Sequence, residues 1–294
     1  MTFSIIVVCY NAGEKLRKTI ESIRSQTDND YEIIVQDGLS TDSSVERLSA
    51  GADLKIFRER DEGIYDAMNR AVSHAAGKYL FFLNCGDYFA DEGVLTAAKR
   101  EIAGNGGMDG CRTDHGKRGH GNGETGSREA EKKRSRPMIF YGNIKERATG
   151  AYVMSNPVID DFACYRNVPC HQACFYDRRL LVKRGFRTCY QVRADYEHFL
   201  WCYYKAHAGM VYMPLTVASY EGEGFSENTE NRRRSAVEHA HIVKKYMSRG
   251  QIIKYRLLLF LSLAPLRTFL AKNKATAEIY QRIKRKIYRM KRAG

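Results

Sequence analysis

The sequence has no stretch of about 20 apolar residues, the length that a helix needs to cross a bilayer. It also shows no secretory leader before the first predicted strand, which begins at Ser4. The eight cysteines lie mainly inside apolar runs, and Cys170 and Cys174 lack a second pair with the two-residue gap of zinc-binding motifs. These absences predict a cytoplasmic protein with reduced thiols, no membrane span and no zinc cluster.

Apolar runs of strand length recur along the first 90 residues, and each one ends in polar residues. The segments between the runs carry apolar residues at helical spacing, as in Ile64–Ala75. Strands that alternate with helices form a parallel sheet, so the expected fold class is α/β. The runs are Ser4–Cys9, Glu32–Val35, Leu54–Phe57 and Tyr79–Leu83.

The polar residues that follow these strands should gather at one edge of the sheet. They are Tyr10, Asn11, Asp37, Asp61 and Asp87. In open α/β sheets, ligands bind beyond the carboxyl ends of the strands, and helix N-termini at that edge favour phosphate. Ordinary turns also favour Asn, Gly and Asp, so no single segment decides the function.

The functional prediction therefore rests on six segments taken together, in their order and spacing. They are Ile6–Asn11, Gln36–Asp42, Asp61–Asn69, Phe82–Asp87, His171-Gln172 and Ala194–Glu197. Together these segments resemble the GT-A fold glycosyltransferases of family 2, particularly the branch that assembles bacterial polysaccharides. The resemblance covers residues 3–226 and implies a Rossmann-like, mostly parallel sheet flanked by helices. It implies transfer of a sugar from a nucleotide sugar to a hydroxyl group of a saccharide or lipid-linked acceptor.

Sugar transfer leaves a nucleoside diphosphate, whose charge calls for a hard divalent cation with oxygen ligands. The resemblance assigns Asp87 as the metal-ligand carboxylate. Members of the family usually carry two or three Asp residues in this motif, whereas Asn84 and Gly86 stand at two of those places here. The expected arrangement is Mg²⁺ or Mn²⁺ held by Asp87 and by the phosphates of the donor itself.

The attacking hydroxyl must lose a proton, which requires a base near the anomeric carbon. The resemblance assigns this role to Asp195, near the start of a predicted helix over Ala194–Tyr204, and implies a single displacement with inversion. Without the resemblance, Asp195 would be interpreted as a helix cap worth about 1 kcal/mol.

The resemblance places the nucleotide of the donor over the first two strand ends. It assigns the base and ribose to the backbone of Val8, to Tyr10 and to Asp37, with uridine as the expected base. Gly38 stands where many members have a second acidic residue that contacts the base. Other interpretations are that Asp37-Gly38 is a common turn and that Tyr10 fills the core. The remaining assignments are Asn11, Asp61, Asn69 and Asn84 to the donor, and His171 and Gln172 to its phosphates or to the acceptor.

Two segments depart from the sheet pattern. Residues 104–136 are rich in glycine and charge and almost free of large apolar residues, which predicts a disordered surface insertion. Residues 244–294 contain 15 Lys or Arg against one acid, Glu278, which gives 15 − 1 = +14, the net charge of the whole chain. We therefore expect a catalytic domain over residues 1–228 and a basic amphipathic helical tail over residues 229–294.

The tail combines this charge with an apolar band between Ile252 and Leu270, which three cationic residues interrupt. This combination predicts that residues 250–294 lie on an anionic membrane surface, at the inner face of the cytoplasmic membrane. The alternative is a helical hairpin that packs on the catalytic domain and bends at Pro265.

Two other functions share part of the pattern. Polybasic segments with nearby tyrosines can bind nucleic acid, but carboxylates at the strand ends would repel a polyanion, so nucleic acid is not expected as a partner. A sugar nucleotidyltransferase uses a similar sheet and metal but usually carries a Gly- and Lys-rich phosphate loop. The segment Cys9–Gly13 lacks that loop.

Overall fold

The structure is a computed structural model that describes residues 1–49, 51–106, 136–221 and 229–261. Within these ranges, one nine-stranded sheet carries helices on both faces. The strands β1 to β9 are Phe3–Cys9, Tyr31–Asp37, Leu54–Arg58, Tyr79–Phe82, Tyr88–Phe89, Met138–Glu146, Tyr152–Val153, Cys174–Asp177 and Gly209–Tyr220. The helices α1 to α8 are Glu14–Arg24, Ile64–His74, Val94–Gly104, Asp161–Arg166, Arg178–Lys183, Ala194–Tyr204, Thr229–Tyr246 and Arg249–Leu261.

The first half of the sheet is parallel, as the alternating strands and helices predict. Its strand order is β3-β2-β1-β4, and every pair in it is parallel. All seven residues of β1 are buried, because helices cover both faces of this part of the sheet. The last residue of β1, Cys9, pairs with Asp37 at the end of β2, so the loops that follow both strands leave the sheet side by side.

The second half of the sheet is mixed, so the sheet as a whole is less parallel than the family resemblance implies. Strand β8 runs antiparallel to both β4 and β6, while β6 and β9 are parallel. The remaining strands, β5 and β7, are antiparallel to β9 and β6. Because β8 runs against β4, the 3-10 turn His171–Ala173 just before β8 lies at the edge where β1 and β4 end.

Two apolar cores lie on the two faces of the sheet. Helices α1 and α3 cover one face, where Phe81 stacks with Phe89 and Phe175. Helices α2, α5, α6 and α7 cover the other face. Ile242 and Val243 of α7 are buried in this second core together with residues of α2 and α6. The domain boundary expected at residue 228 therefore does not separate two cores, since α7 shares the core of the catalytic unit.

A buried carboxylate fastens α7 to α6. Glu197 of α6 has no exposed surface and accepts hydrogen bonds from Lys245, Arg184 and, at 2.6 Å, the hydroxyl of Tyr246. Burial would raise the pKa of Glu197, but the bonds from Lys245 and Tyr246 and the charge of Arg184 outweigh it and hold this pKa below its ordinary value. Removing one cation of such a cluster leaves a buried charge uncompensated, which is strongly destabilising.

Helix α8 packs on the catalytic unit through one side only. Tyr255 is buried against Phe162 and Tyr165 of α4, and the amide of Gln251 donates to Asp161. Up to Leu261, where the described residues end, this contact is the one expected if the tail packs on the catalytic domain as a helical hairpin. Among the residues that the structure describes, no helix combines the length and the apolar character needed to cross a membrane. Pro265 and nearly all of the predicted insertion at 104–136 lie outside the described residues.

Candidate active site

Asp87 lies in the turn after β4, at the carboxyl edge of the sheet. Its side chain is only 6% exposed, and its Oδ2 accepts a hydrogen bond of 2.9 Å from the amide of Gln172. The backbone N–H of Glu221 donates to Oδ1 over 3.3 Å. Burial raises the pKa of Asp87 above its ordinary value, although the Gln172 bond and the charge of His171 oppose the shift. A cation beside this carboxylate would compensate its buried charge.

Asp195 lies in the first turn of α6, with the backbone of Arg193 at the N-cap position. Its Oδ1 accepts from the hydroxyl of Tyr65 at 3.0 Å, and its Oδ2 lies 3.1 Å from Nδ1 of His171. Burial alone would raise the pKa of Asp195, but the hydrogen bond and charge of His171 reverse the shift, so this pKa lies below its ordinary value. Asp195 therefore stays ionised, and its bonds to Tyr65 and His171 go beyond what a helix cap requires.

The 3-10 turn before β8 joins the two carboxylates. His171 bonds Asp195 and its neighbour Gln172 bonds Asp87. The Cα atoms of consecutive residues are about 3.8 Å apart, so one short piece of backbone sets the separation of both acids. The pair His171-Gln172, predicted for the phosphates or the acceptor, thus contacts both of the other predicted catalytic groups.

In its neutral form, His171 has partners that suit one tautomer of the ring. If Nδ1 carries the hydrogen and donates to Asp195, Nε2 can accept from the amide of Asn84, 3.3 Å away. This arrangement uses the amide nitrogen of Asn84 and leaves its Oδ1 buried, with no hydrogen-bond partner among the described residues. An unpartnered amide oxygen in the same turn as the Asp87 carboxylate suits a hard cation, because Mg²⁺ and Mn²⁺ prefer oxygen ligands.

The protein offers few ligands beyond these two. Within the described ranges, no three His, Cys, Asp or Glu side chains come close enough to hold a metal ion together. The residues present therefore fit a cation that takes its remaining ligands from a bound substrate, as one Asp in the motif predicts.

The loops after β1 and β2 are tied to each other. The side chain of Asn11 accepts from the backbone of Thr41 at 2.9 Å, and its own N–H donates to the hydroxyl of Ser40 at 2.8 Å. Asn11 adopts a positive φ of 47°, a conformation that Asn tolerates better than most residues. These bonds leave the ring of Tyr10 exposed, at 67% of its surface, directly above the strand ends. Tyr10 therefore does not fill the core, and its face is free to stack on a ligand.

Asp37 itself points inward and organises the second loop. It is fully buried, accepts from the backbone and side chain of Ser40, and pairs with Arg58 at 3.0 Å. A ligand at this edge would thus meet the loop that Asp37 shapes before it meets the carboxylate itself.

Gly38, beside Asp37, leaves room that a neighbouring acid occupies. A Cβ atom added at Gly38 would lie 2.5 Å from Oδ2 of Asp61 and 3.4 Å from the ring of Tyr10. The carboxylate of Asp61 and the ring of Tyr10 therefore both border the space that Gly38 leaves open. Asp61 presents an acidic group close to where a side chain at position 38 would begin.

Two residues assigned to the donor have other partners. Both ends of the Asn69 amide bond the backbone of Phe186, at 2.8 and 2.7 Å, so Asn69 joins α2 to the segment after α5. The carbonyl of Val8 accepts from the thiol of Cys85 at 3.3 Å, which ties β1 to the Asp87 turn.

Two residues near Asp195 were missed by the sequence analysis. Tyr65 bonds both Asp195 and the carbonyl of Val192. Glu238 of α7 is 9% exposed and accepts from three consecutive backbone N–H groups, those of Gln191, Val192 and Arg193, at 2.9, 3.1 and 2.9 Å. Tyr65 follows Ile64 in a segment that resembles the family and could have been suspected. Glu238 lies in a basic helix and gives no such signal.

Comparison with known proteins gives a consistent result. The family model described as Glycosyl transferase family 2 matches residues 4–155. A PGL/p-HBAD biosynthesis glycosyltransferase of Mycobacterium bovis is 30% identical over 233 residues, which are 77% of this chain and 79% of that protein. An uncharacterized glycosyltransferase of Mycobacterium tuberculosis is 27% identical over 74% of this chain and 72% of its own length.

Solved structures share the fold at lower sequence identity. S. aureus TarS 1-349 in complex with UDP-GlcNAc aligns with a TM-score of 0.62 and 17% identity, over 93% of this chain and 76% of that one. The mannosyltransferase PcManGT from Pyrobaculum calidifontis, in complex with GDP-Man and Mn²⁺, aligns with a TM-score of 0.57 and 16% identity, over 98% and 82%. The fold is thus that of the GT-A enzymes, and with the family match and the mycobacterial relative it shows that the chain belongs to glycosyltransferase family 2.

Proposed function

We propose that this glycosyltransferase moves a sugar from a uridine diphosphate sugar to an acceptor hydroxyl, with a divalent cation and with inversion at the anomeric carbon. The observation that carries the proposal is that the turn His171–Ala173 bonds both acids, Asp195 through His171 and Asp87 through Gln172. Asp87, as the ligand of a cation, suits the departing diphosphate, and Asp195, as a base, suits the attacking hydroxyl.

Asp195 has the properties of the general base. It is ionised, and its two oxygens are oriented by Tyr65 and His171. In the proposed step, the acceptor oxygen forms its bond to the anomeric carbon as the bond from that carbon to the phosphate oxygen breaks. Asp195 takes the hydroxyl proton. One displacement needs no covalent nucleophile, so the configuration inverts.

Asp87 is the residue that would hold the cation, with Oδ1 of Asn84 beside it. When bound, Mg²⁺ or Mn²⁺ would neutralise charge that develops on the leaving diphosphate. The Mn²⁺ in the PcManGT complex supports this assignment.

Tyr10 and Asp61 are the proposed contacts to the base of the nucleotide. The exposed ring of Tyr10 offers a stacking surface, and Asp61 offers a hydrogen-bond acceptor in the space that Gly38 leaves open. An acceptor at this point suits the ring N–H of uracil. The complex of TarS with UDP-GlcNAc supports a uridine nucleotide.

Helix α8 supports the proposed association with an anionic membrane surface and a role in cell-surface polysaccharide assembly. Its outer side exposes Ile253, Leu257 and Phe260, the last at 78%, and the cations Lys254 and Arg256 are exposed on the same helix. Apolar side chains flanked by cations are the pattern of helices that lie on anionic lipid.

The metal assignment predicts the effect of Asp87→Asn, which keeps the shape of the side chain and removes its charge. We expect UDP affinity in the presence of Mn²⁺ to fall at least about tenfold, because a charged ligand is lost. Isothermal titration with UDP, with and without Mn²⁺, measures the change. Asp53→Asn, which breaks a pair with Arg24 far from the strand ends, serves as the control. Equal Mn²⁺-dependent affinity in D87N and the wild type would contradict the assignment.

The bond between His171 and Asp195 predicts a change in pH dependence. His171 lowers the pKa of Asp195, so His171→Asn should let burial raise it. A base must be deprotonated to act, so the acidic limb of the kcat/KM profile should move to higher pH in H171N. The measurement is nucleotide release across the acidic range. An unmoved limb would show that Asp195 is not the titrating base.

The contacts of Glu238 predict that it positions Asp195 without touching the donor. Glu238→Ala frees the loop 191–193 and should lower kcat by about tenfold or more, because small displacements of a catalytic group are costly. UDP affinity should not change. Glu238→Gln keeps an acceptor oxygen and should recover part of kcat. Glu230→Ala, on the same helix but 81% exposed, is the control. A parallel loss of kcat and UDP affinity in E238A would indicate general unfolding instead.

The surface of α8 predicts binding to vesicles that contain anionic lipid. The full-length protein should float with such vesicles, less so at high salt because the charges are screened. Deletion of residues 250–294 should abolish flotation. The double change Leu257→Gln and Phe260→Gln, which spares the buried Tyr255, should weaken it. If the deleted protein floats as well as the full chain, the membrane assignment is wrong.

A further inference from the structure

A cavity of about 430 Å³ opens beside Asp195. This volume lies within the range of small-molecule sites in proteins. Asp195 is one of its lining residues, whereas Tyr10, Asp61 and Asp87, proposed here for the donor and the cation, are not. The cavity is therefore a second place from which a molecule can reach the proposed base.

The walls of the cavity combine apolar and cationic groups. Val153, Met154, Val168 and Pro169 contribute apolar surface, and Arg166 and Arg193 contribute positive charge. Asp195 is the one acid among the lining residues. With Asp195 ionised, the formal charge of the lining is 2 − 1 = +1, so the cavity favours an anion even with the base charged.

The two arginines differ in how they are held. Nε of Arg193 donates to the hydroxyl of Ser235 at 2.7 Å, and its guanidinium lies 5.4 Å from the centre of the Tyr196 ring. Arg166 is the last residue of α4, and its side chain forms no hydrogen bond or ion pair with another residue in the described part of the chain. Neither guanidinium is neutralised by a carboxylate within the described ranges. Arg193 is thus oriented in advance, and Arg166 is available to a ligand.

From this arrangement we infer that the cavity binds the acceptor and that Arg166 and Arg193 recognise a phosphate group on it. The inference rests on the proposed function, because it takes Asp195 as the base. A hydroxyl must come within hydrogen-bond reach of Asp195 to lose its proton. A sugar phosphate can meet this condition while its phosphate faces the guanidinium groups, which match phosphate oxygens in geometry and charge. The acceptor class is therefore a sugar esterified by phosphate, free or linked through phosphate to a lipid.

The experiment uses the full-length protein saturated with UDP and Mg²⁺, so that the donor site is filled. The probes are N-acetylglucosamine 1-phosphate, glucose 1-phosphate, their methyl glycosides, and N-acetylglucosamine linked to farnesyl diphosphate. Ligand-observed NMR gives the dissociation constants. Both sugar phosphates should bind at least about tenfold more tightly than their methyl glycosides, because charge-assisted bonds to arginine are lost in the neutral forms. Tighter binding of the farnesyl form would assign the lipid-linked source, and equal binding would assign the free one.

Two variants locate the binding. Arg166→Gln and Arg193→Gln should each weaken phosphate binding about tenfold or more, and Arg166→Lys should weaken it less than R166Q. Arg187→Gln, which removes an exposed guanidinium that does not line this cavity, is the matched control and should bind as the wild type does. The UDP affinity of all four variants should be unchanged.

Three results would overturn the inference: sugar phosphates that bind no better than methyl glycosides, unchanged binding in both R166Q and R193Q, or probes that bind only when UDP is absent. The last result would place the phosphate in the donor site. Failure of the wild type to bind UDP at all would count against the proposed function and not against the cavity, so the two failures are distinguishable.

Discussion

The site depends on one physical constraint, which is that consecutive residues of a single turn hold two carboxylates with opposite requirements. His171 bonds Asp195 and Gln172 bonds Asp87. The turn is itself fixed, because it leads directly into β8, and β8 is paired on both sides by β4 and β6. A shift of β8 by one residue would exchange the faces of its side chains and would displace both bonds at once. The mixed pairing of the sheet therefore contributes to the geometry of the candidate site.

Helix α7 supplies the second support. Tyr246 of α7 donates to Glu197 of α6 and so fastens the two helices together. Glu238 of α7 accepts from the backbone just before Asp195. The proposed base, Asp195, is thus bounded by the turn before β8 on one side and, through residues 191–193, by α7 on the other. Because the matched family segment ends at residue 155, this support lies in a part of the chain where the sequence pattern says little.

The sequence was informative where an element and its chemistry coincide. The runs that end in Asn11, Asp37 and Asp87 predict parallel strands and a polar edge, and the structure has both.

Asn69 shows the limit of this reasoning. Its place in a matching segment suggested the donor, but the direction of a helical side chain depends on which neighbour accepts it, and Phe186 uses both ends of the amide. Glu238 is a residue of the site that the sequence did not indicate. Its partners are the backbone N–H groups of residues 191–193, 45 to 47 positions earlier, and every non-proline residue has a backbone donor, so no sequence pattern marks these contacts. The antiparallel direction of β8 could not be predicted from the sequence either, because tertiary contacts decide the pairing direction and hydrophobic periodicity does not encode it.

The two acids illustrate how environment divides one chemical group into two roles. Asp87 is buried and Asp195 is partly buried, and burial pushes the pKa of each upward. For Asp195 the protein itself supplies the compensation, through a hydrogen bond and charge from His171, so the carboxylate is ionised and ready to accept a proton. For Asp87 the amide of Gln172 compensates only in part, and the pKa stays raised. A neutral donor such as an amide stabilises a buried carboxylate less than a cation does. The negative charge of Asp87 is therefore only partly compensated, and a bound cation would stabilise it further. A base needs its charge before the substrate arrives, whereas a metal ligand gains its compensation on binding. The different partners that His171 and Gln172 provide therefore agree with the separate tasks proposed for the two carboxylates.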